Sequence, residues 1–166
     1  RGARQVGKSH LVRQFAASQG LTLWEINVER HPEKATALLA QDPRVGLSVL
    51  AADFPRLGSG EKTLLFVDEI QARPEIFAKL RYWYEELPQL PIIAAGSLLE
   101  FALKDFDHAV PVGRVQYLHM GPLGFDEYVK LTPLSQHYDS ALKWSPKINE
   151  ALSPLTHGRL ASCARD

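Results

Sequence analysis

Gly2-Ala3-Arg4-Gln5-Val6-Gly7-Lys8-Ser9 decides the reading of this chain. The stretch matches G-x-x-x-x-G-K-[ST], a loop whose glycines let successive backbone N–H groups close around phosphate oxygens at the positive end of the following helix. Lys8 is expected to bridge the β- and γ-phosphates of a nucleotide, and the Ser9 hydroxyl to ligate Mg²⁺. The nucleotide-binding set is therefore Gly2, Ala3, Arg4, Gln5, Val6, Gly7, Lys8 and Ser9, with His10 next in line. The required helix follows: Ser9–Ser18 carries Leu11, Val12, Phe15 and Ala16 at helical spacing and stops at Gly20. The strand that delivers such a loop would precede Gly2, so the chain reads as a fragment lacking a strand that belongs inside the sheet.

Thr63-Leu64-Leu65-Phe66-Val67-Asp68-Glu69 is an apolar run ending in two carboxylates, the form of a buried parallel strand whose C-terminal end faces a ligand crevice. This is the Walker B pattern. Asp68 is expected to hold Mg²⁺ through its water shell, and Glu69 to orient and deprotonate the attacking water. The adjacent glutamate points to P-loop ATPases. GTPases would need an Asn-Lys-x-Asp motif that does not occur, and small-molecule kinases have no need of a water-activating carboxylate.

Outside these motifs, Leu21–Val28 alternates as a strand with Trp24 and Ile26 on one side, and Asn27 and Glu29 fall at its end. Pro32–Ala40 and Val45–Phe54 read as helices, and Gly58-Ser59-Gly60 as a loop. Pro74–Leu87 is expected to be helical with Ile76, Phe77, Leu80, Trp83 and Tyr84 on one face. Tyr82, Trp83 and Tyr84 point in different directions on such a helix, so core packing fits better than a base-stacking platform. Pro91–Ala95 is a further strand with Gly96-Ser97 at its end. Ser97 has two readings: a sensor of the γ-phosphate, or a turn residue capping a helix over Leu98–Leu103. Val115–Met120 reads as another strand preceded by Gly113-Arg114. Arg114 is placed as an arginine finger reaching a neighbouring subunit's γ-phosphate, which entails a homo-oligomer, or as a surface ion pair. Leu123–Val129 and Leu134–Trp144 begin short helices, and Ser153–Asp166 is expected to be a loosely held tail.

The 166 residues carry 19 Lys+Arg against 19 Asp+Glu, so net charge gives no global case for nucleic acid, and any DNA or protein partner is not identifiable. The longest apolar runs fall far short of the roughly 20 residues that span a bilayer. Cys163 is the single cysteine, which excludes an intramolecular disulfide and favours a reducing cytoplasm. The six histidines have no metal-ligand spacing.

Taken together, Gly-x-Arg-Gln-Val-Gly-Lys-Ser, Leu-Phe-Val-Asp-Glu-Ile-Gln, Ala-Gly-Ser with a following Leu-Glu, Val-Gly-Arg and Pro-Leu-Gly-Phe-Asp-Glu-Tyr resemble the prokaryotic AAA+-type ATPases that usually carry a C-terminal domain of unknown function. The resemblance spans Gly2 to about Val129. It implies a three-layer α/β P-loop fold, a mostly parallel sheet with helices on both faces, together with ATP, Mg²⁺ and hydrolysis. The chain departs from that pattern in lacking the first, phosphate-loop strand and the C-terminal domain, and in following Ser97 with Leu98 and Leu99. Residues 1–130 are expected to form the ATPase core and 131–166 a helical extension and tail. The expected function is Mg²⁺-dependent ATP hydrolysis coupled to a conformational change, with Glu69, Lys8, Ser97 and Arg114 catalytic and Ser9 and Asp68 on the metal. The rivals are a nucleotide-dependent switch or DNA-associated regulator with negligible turnover, and an inactive truncated fragment.

Overall fold

The computed structural model describes residues 1–54, 62–97 and 113–131. The loop at Gly58-Ser59-Gly60, the helices expected over Leu98–Leu103 and Leu134–Trp144, and the tail Ser153–Asp166 lie outside them. The chain divides into two compact units, Arg1–Met120 and Gly121–Asp166.

In the first unit, helix α1 (Lys8–Ser18) leads into strand β1 (Thr22–Asn27), helices α2 (Pro32–Leu38) and α3 (Pro43–Asp53), strand β2 (Thr63–Asp68), helix α4 (Glu75–Glu86) and strand β3 (Ile92–Ala94). The strands form a parallel sheet in the order β1-β2-β3, with Thr22 to Asn27 opposite Thr63 to Asp68 and Leu65 to Val67 opposite Ile92 to Ala94. Every residue of β2 is buried, as its unbroken apolar run requires of a central strand covered on both faces. Burying side chains such as Leu65, Phe66 and Val67 stabilises the fold by about 1.5–3 kcal/mol each.

Because side chains alternate across a strand, the sheet separates two cores. On one face Leu64 and Phe66 meet Val12 and Ala16 of α1. On the other, Trp24, Ile26, Leu65 and Val67 pack with Ala35, Leu38, Leu50, Ile76, Phe77 and Trp83 of α2, α3 and α4. Helices therefore cover both faces, the expected three-layer α/β arrangement. Local signals set the ends of these helices. Asp42 caps α3 by accepting the Arg44 N–H at 2.8 Å, with Pro43 at the first helical position. At the end of α1, the Gly20 N–H reaches the Ala17 carbonyl and the Leu21 N–H the Ala16 carbonyl, a Schellman closure made possible by φ 62 at Gly20. Where α2 and α3 cross, a Cβ on Gly46 would collide with the Ala37 carbonyl oxygen and stand 3.1 Å from Trp83, whose indole N–H donates to the Leu38 carbonyl at 3.1 Å.

Two expectations need correction, and a third gains detail. Val115–Met120 is not a strand: among the described residues its backbone pairs with Arg1, through the Arg1 nitrogen to the Leu118 carbonyl at 2.6 Å and the Met120 N–H to the Arg1 carbonyl at 2.8 Å. That is a parallel pairing one residue long, and it leaves Leu118 exposed. The helix expected over Ser9–Ser18 is present, with Leu11 and Phe15 exposed because the Val12 and Ala16 side of α1 meets the sheet. Tyr84 is exposed as well, so it does not share the covered side of α4 with Ile76, Phe77 and Trp83.

In the second unit the described part is Gly121–Leu131, with helix α5 at Phe125–Lys130. The Glu127 carboxylate accepts the Gly124 N–H at 2.8 Å, and Asp126 and Glu127 sit in the first turn with Lys130 in the last, charges that suit the helix dipole.

Candidate functional site

The chain enters α1 through a loop with positive φ at Gly2 (145), Gln5 (60) and Gly7 (91). Gly7 is the N-cap and has no side chain to offer, so no side chain caps the first amides of α1. Amides left without an N-cap side chain at the positive end of an eleven-residue helix are the donors an anion needs. A Cβ on Gly2 would overlap the Met120 carbonyl, and one on Gly7 would touch the Met120 methyl at 3.6 Å, so the loop lies directly against the end of the Val115–Met120 segment.

Lys8 folds back over this loop. Its ammonium donates to the Ala3 carbonyl at 2.5 Å and to the Gly2 carbonyl at 3.2 Å, holding a positive charge over the loop. Ser9, one residue on, donates its hydroxyl to the Asp68 carboxylate at 2.8 Å. Asp68 is 7% exposed at the end of β2, and its other oxygen accepts the Glu69 N–H at 3.0 Å. The α1 start and the β2 end, 59 residues apart in sequence, are thus joined by one hydroxyl and one carboxylate. Both are hard oxygen donors, and too few for an all-protein cage. Such a pair suits Mg²⁺, which keeps several waters and completes its shell with phosphate oxygens.

Glu69 turns the chain out of β2 in the left-handed region, at φ 54 and ψ 40, and leads into a 3₁₀ turn at Ile70–Ala72. Its carboxylate accepts from the Gln71 side-chain amide at 2.5 Å. The Gln71 carbonyl oxygen accepts the Ser97 backbone N–H at 3.2 Å, and the Ser97 hydroxyl meets Arg4 Nε at 3.4 Å.

Arg4, Gln5, Gly7, Lys8, Ser9, His10, Glu29, Asp68, Glu69 and Ser97 line one open cleft of about 560 Å³. Nine of these ten were candidates from sequence. Gly2, Ala3 and Val6 belong to the same loop without lining the cleft, and the first two supply the carbonyls that hold Lys8. Arg114 is elsewhere, paired with Glu85 of α4 at 3.5 Å. Glu29 and Gln71 carried no role in the sequence reading. Glu29 stands just past the end of β1, beside the end of β2 in a parallel sheet, and Gln71 closes the stretch Leu-Phe-Val-Asp-Glu-Ile-Gln, a place that does not by itself say what its side chain meets. A second groove, about 250 Å³ between the start of α3 and α4, has its charges already engaged: Asp42 caps α3 and Arg44 pairs with Glu86 at 3.0 Å.

A three-stranded parallel sheet between two helical layers, a glycine loop feeding a helix N-terminus, and a carboxylate pair at the end of β2 define a nucleotide-binding α/β protein of the P-loop class. The model of the AAA domain family matches residues 1–129, and the chain belongs to that family, a group of nucleotide-binding ATPases. No curated protein matches it. Among the described residues, no helix is long and apolar enough to cross a membrane.

Proposed function

We propose that this chain binds ATP with Mg²⁺ in the cleft above β2 and hydrolyses it, and that the cycle of binding and hydrolysis drives a conformational change. The observation that carries the reading is the convergence of Lys8, Ser9, Asp68, Glu69 and Ser97 on one cleft. The loop amides and Lys8 bind the phosphate chain, and Lys8 exchanges its two carbonyl partners for phosphate oxygens. Ser9 and Asp68 would hold Mg²⁺, which supplies charge neutralisation to the phosphates when bound. Glu69 orients a water and takes its proton as the water attacks, and Ser97 donates its hydroxyl to a terminal phosphate oxygen. Arg114 is proposed to act on a neighbouring copy; its pair with Glu85 of α4 is what the alternative, a surface ion pair, calls for, and the mixing experiment below decides between the two. The single cysteine fits a cytoplasmic setting.

The test combines thermal unfolding with phosphate release. ATP and Mg²⁺ at 100 times the dissociation constant stabilise a competent fold by about 2.7 kcal/mol, a rise of several degrees. Lys8→Ala abolishes that rise. Glu69→Gln keeps it and loses turnover, and turnover persisting in Glu69→Gln would overturn the role given to this carboxylate. A wild-type chain that is stabilised yet releases no phosphate, with or without duplex DNA, would favour the nucleotide switch. Mixing Arg114→Ala subunits with Lys8→Ala subunits tests action between copies: activity recovered in the mixture supports it, and no recovery at any ratio counts against it.

A further inference from the structure

We propose that Gln71 is a positioning residue, a strut that fixes the Glu69 carboxylate to the Gly96–Ser97 turn at the end of β3. The proposal rests on the hydrolysis reading above and deepens it, because it makes the group that handles water and the group that meets the terminal phosphate parts of one unit.

Three observations carry it. The first is chemistry at both ends of one amide. A carboxylate can be met only by the NH₂ end of Gln71 and a backbone N–H only by its oxygen, so the contacts to Glu69 at 2.5 Å and to Ser97 at 3.2 Å admit one orientation of the side chain. The second is the room made for it. A Cβ on Gly96 would stand 2.5 Å from the Gln71 oxygen and 3.2 Å from Ile70, and the Gly96 backbone has no positive φ that would by itself call for glycine. Glycine here serves the close approach of Gln71. The third is the rigidity of the frame. The Ile70 N–H donates to the Ala95 carbonyl at 3.0 Å and the Ala95 N–H to the Val67 carbonyl at 2.8 Å, so the tails of β2 and β3 are laced by backbone on one side of the strut. Ile70 is fully buried and Ser97 is 3% exposed.

Glu69 needs such a device. It sits outside the regular strand, in a left-handed conformation a non-glycine residue seldom adopts, and its side chain is only half-buried. Left to itself, a glutamate side chain there would sample several rotamers, and a base displaced by an ångström loses much of its effect. Gln71 removes that freedom. It also makes the carboxylate follow the turn: when the Ser97 hydroxyl engages a phosphate oxygen, any shift of the Gly96–Ser97 backbone is passed to Glu69 through two hydrogen bonds.

The experiment uses this chain with two substitutions. Gln71→Met keeps the length of the side chain and removes both hydrogen-bonding ends; Gly96→Ala leaves the amide intact and pushes it away. Each is expected to lower kcat by about tenfold or more while KM and the affinity for a fluorescent ATP analogue stay within about threefold. Turnover within about twofold of wild type, or a loss shared equally by binding, would overturn the proposal. A second readout needs no turnover. The Gln71 side-chain NH₂ resonances, identified by their disappearance in Gln71→Met, are expected to move in Glu69→Ala. An NH₂ pair indifferent to Glu69→Ala overturns the strut even if the wild-type chain binds ATP without hydrolysing it, an outcome that by itself defeats only the hydrolysis reading.

Discussion

Gly46→Ala is expected to destabilise the fold although alanine is the better helix former. Gly46 lies within α3 with ordinary helical backbone, so no strain of φ is relieved or created. What changes is space. The added methyl would fall inside contact distance of the Ala37 carbonyl oxygen of α2, a backbone atom that cannot rotate away, and 3.1 Å from the Trp83 ring of α4. All three helices meet at this point, and Trp83, 1% exposed, is tied to α2 by its bond to the Leu38 carbonyl. Overpacking a well-filled core costs about 1–3 kcal/mol. Alanine recovers roughly 1 kcal/mol through helix preference. A pushed-out α2 also stretches the indole bond, a contribution of about 1 kcal/mol. The net loss is on the order of 1–3 kcal/mol, or a fall in Tm of roughly 2–12 °C for a chain of this length. Circular dichroism melts of the two proteins measure it. A Tm equal to or above that of the glycine form would refute the claim that backbone proximity, and not chance, puts glycine at this crossing.

Gly20→Ala inverts the case: nothing lies within 4 Å of the added methyl, but φ is 62, so the same melt should show a loss of about 1–2 kcal/mol from backbone strain alone. Burial opposes ionisation of Glu75, but the Arg73 hydrogen bond and charge, with Glu75's own backbone N–H, outweigh it and hold its carboxyl below the ordinary glutamate range. The unfolded chain therefore binds the extra proton first, and this stabilisation is present above about pH 4.3 and lost as pH falls through the lower folded value. The pair is about one-third exposed, so the effect is at most about 1 kcal/mol, and Glu75→Gln should remove that part of the acid dependence in urea titrations between about pH 5 and 3. Ser9→Ala should narrow the difference between ATP stabilisation measured with Mg²⁺ and with a chelator; an undiminished difference would remove Ser9 from the metal.

The phosphate loop, α1, β2 and the carboxylates at its end were legible because each is a local pattern: a fixed glycine spacing, a helical period, an unbroken apolar run. The limits of legibility are also physical. Leu11 and Phe15 look identical to Val12 and Ala16 in a periodic pattern, and only the placement of the sheet decides which pair is covered. Val115–Met120 has the composition of a strand, but a strand is made by its partners, and among the described residues the backbone bonds of this segment run to Arg1. Gln71 is visible in the sequence as the last residue of Leu-Phe-Val-Asp-Glu-Ile-Gln, but its bond to Ser97 joins two strand ends 26 residues apart, which no short motif encodes. The place of Lys8 in the loop follows from the motif, yet its bonds to Gly2 and Ala3 depend on the loop's curvature rather than its composition.

Met120 closes against the glycines of the loop, with its methyl near Gly7. It is also the one methionine among the 166 residues. Isotopic labelling of that methyl alone would give a nearly background-free resonance beside the phosphate loop. Its chemical shift would follow filling and emptying of the loop in solution, in real time and without any substitution or attached dye.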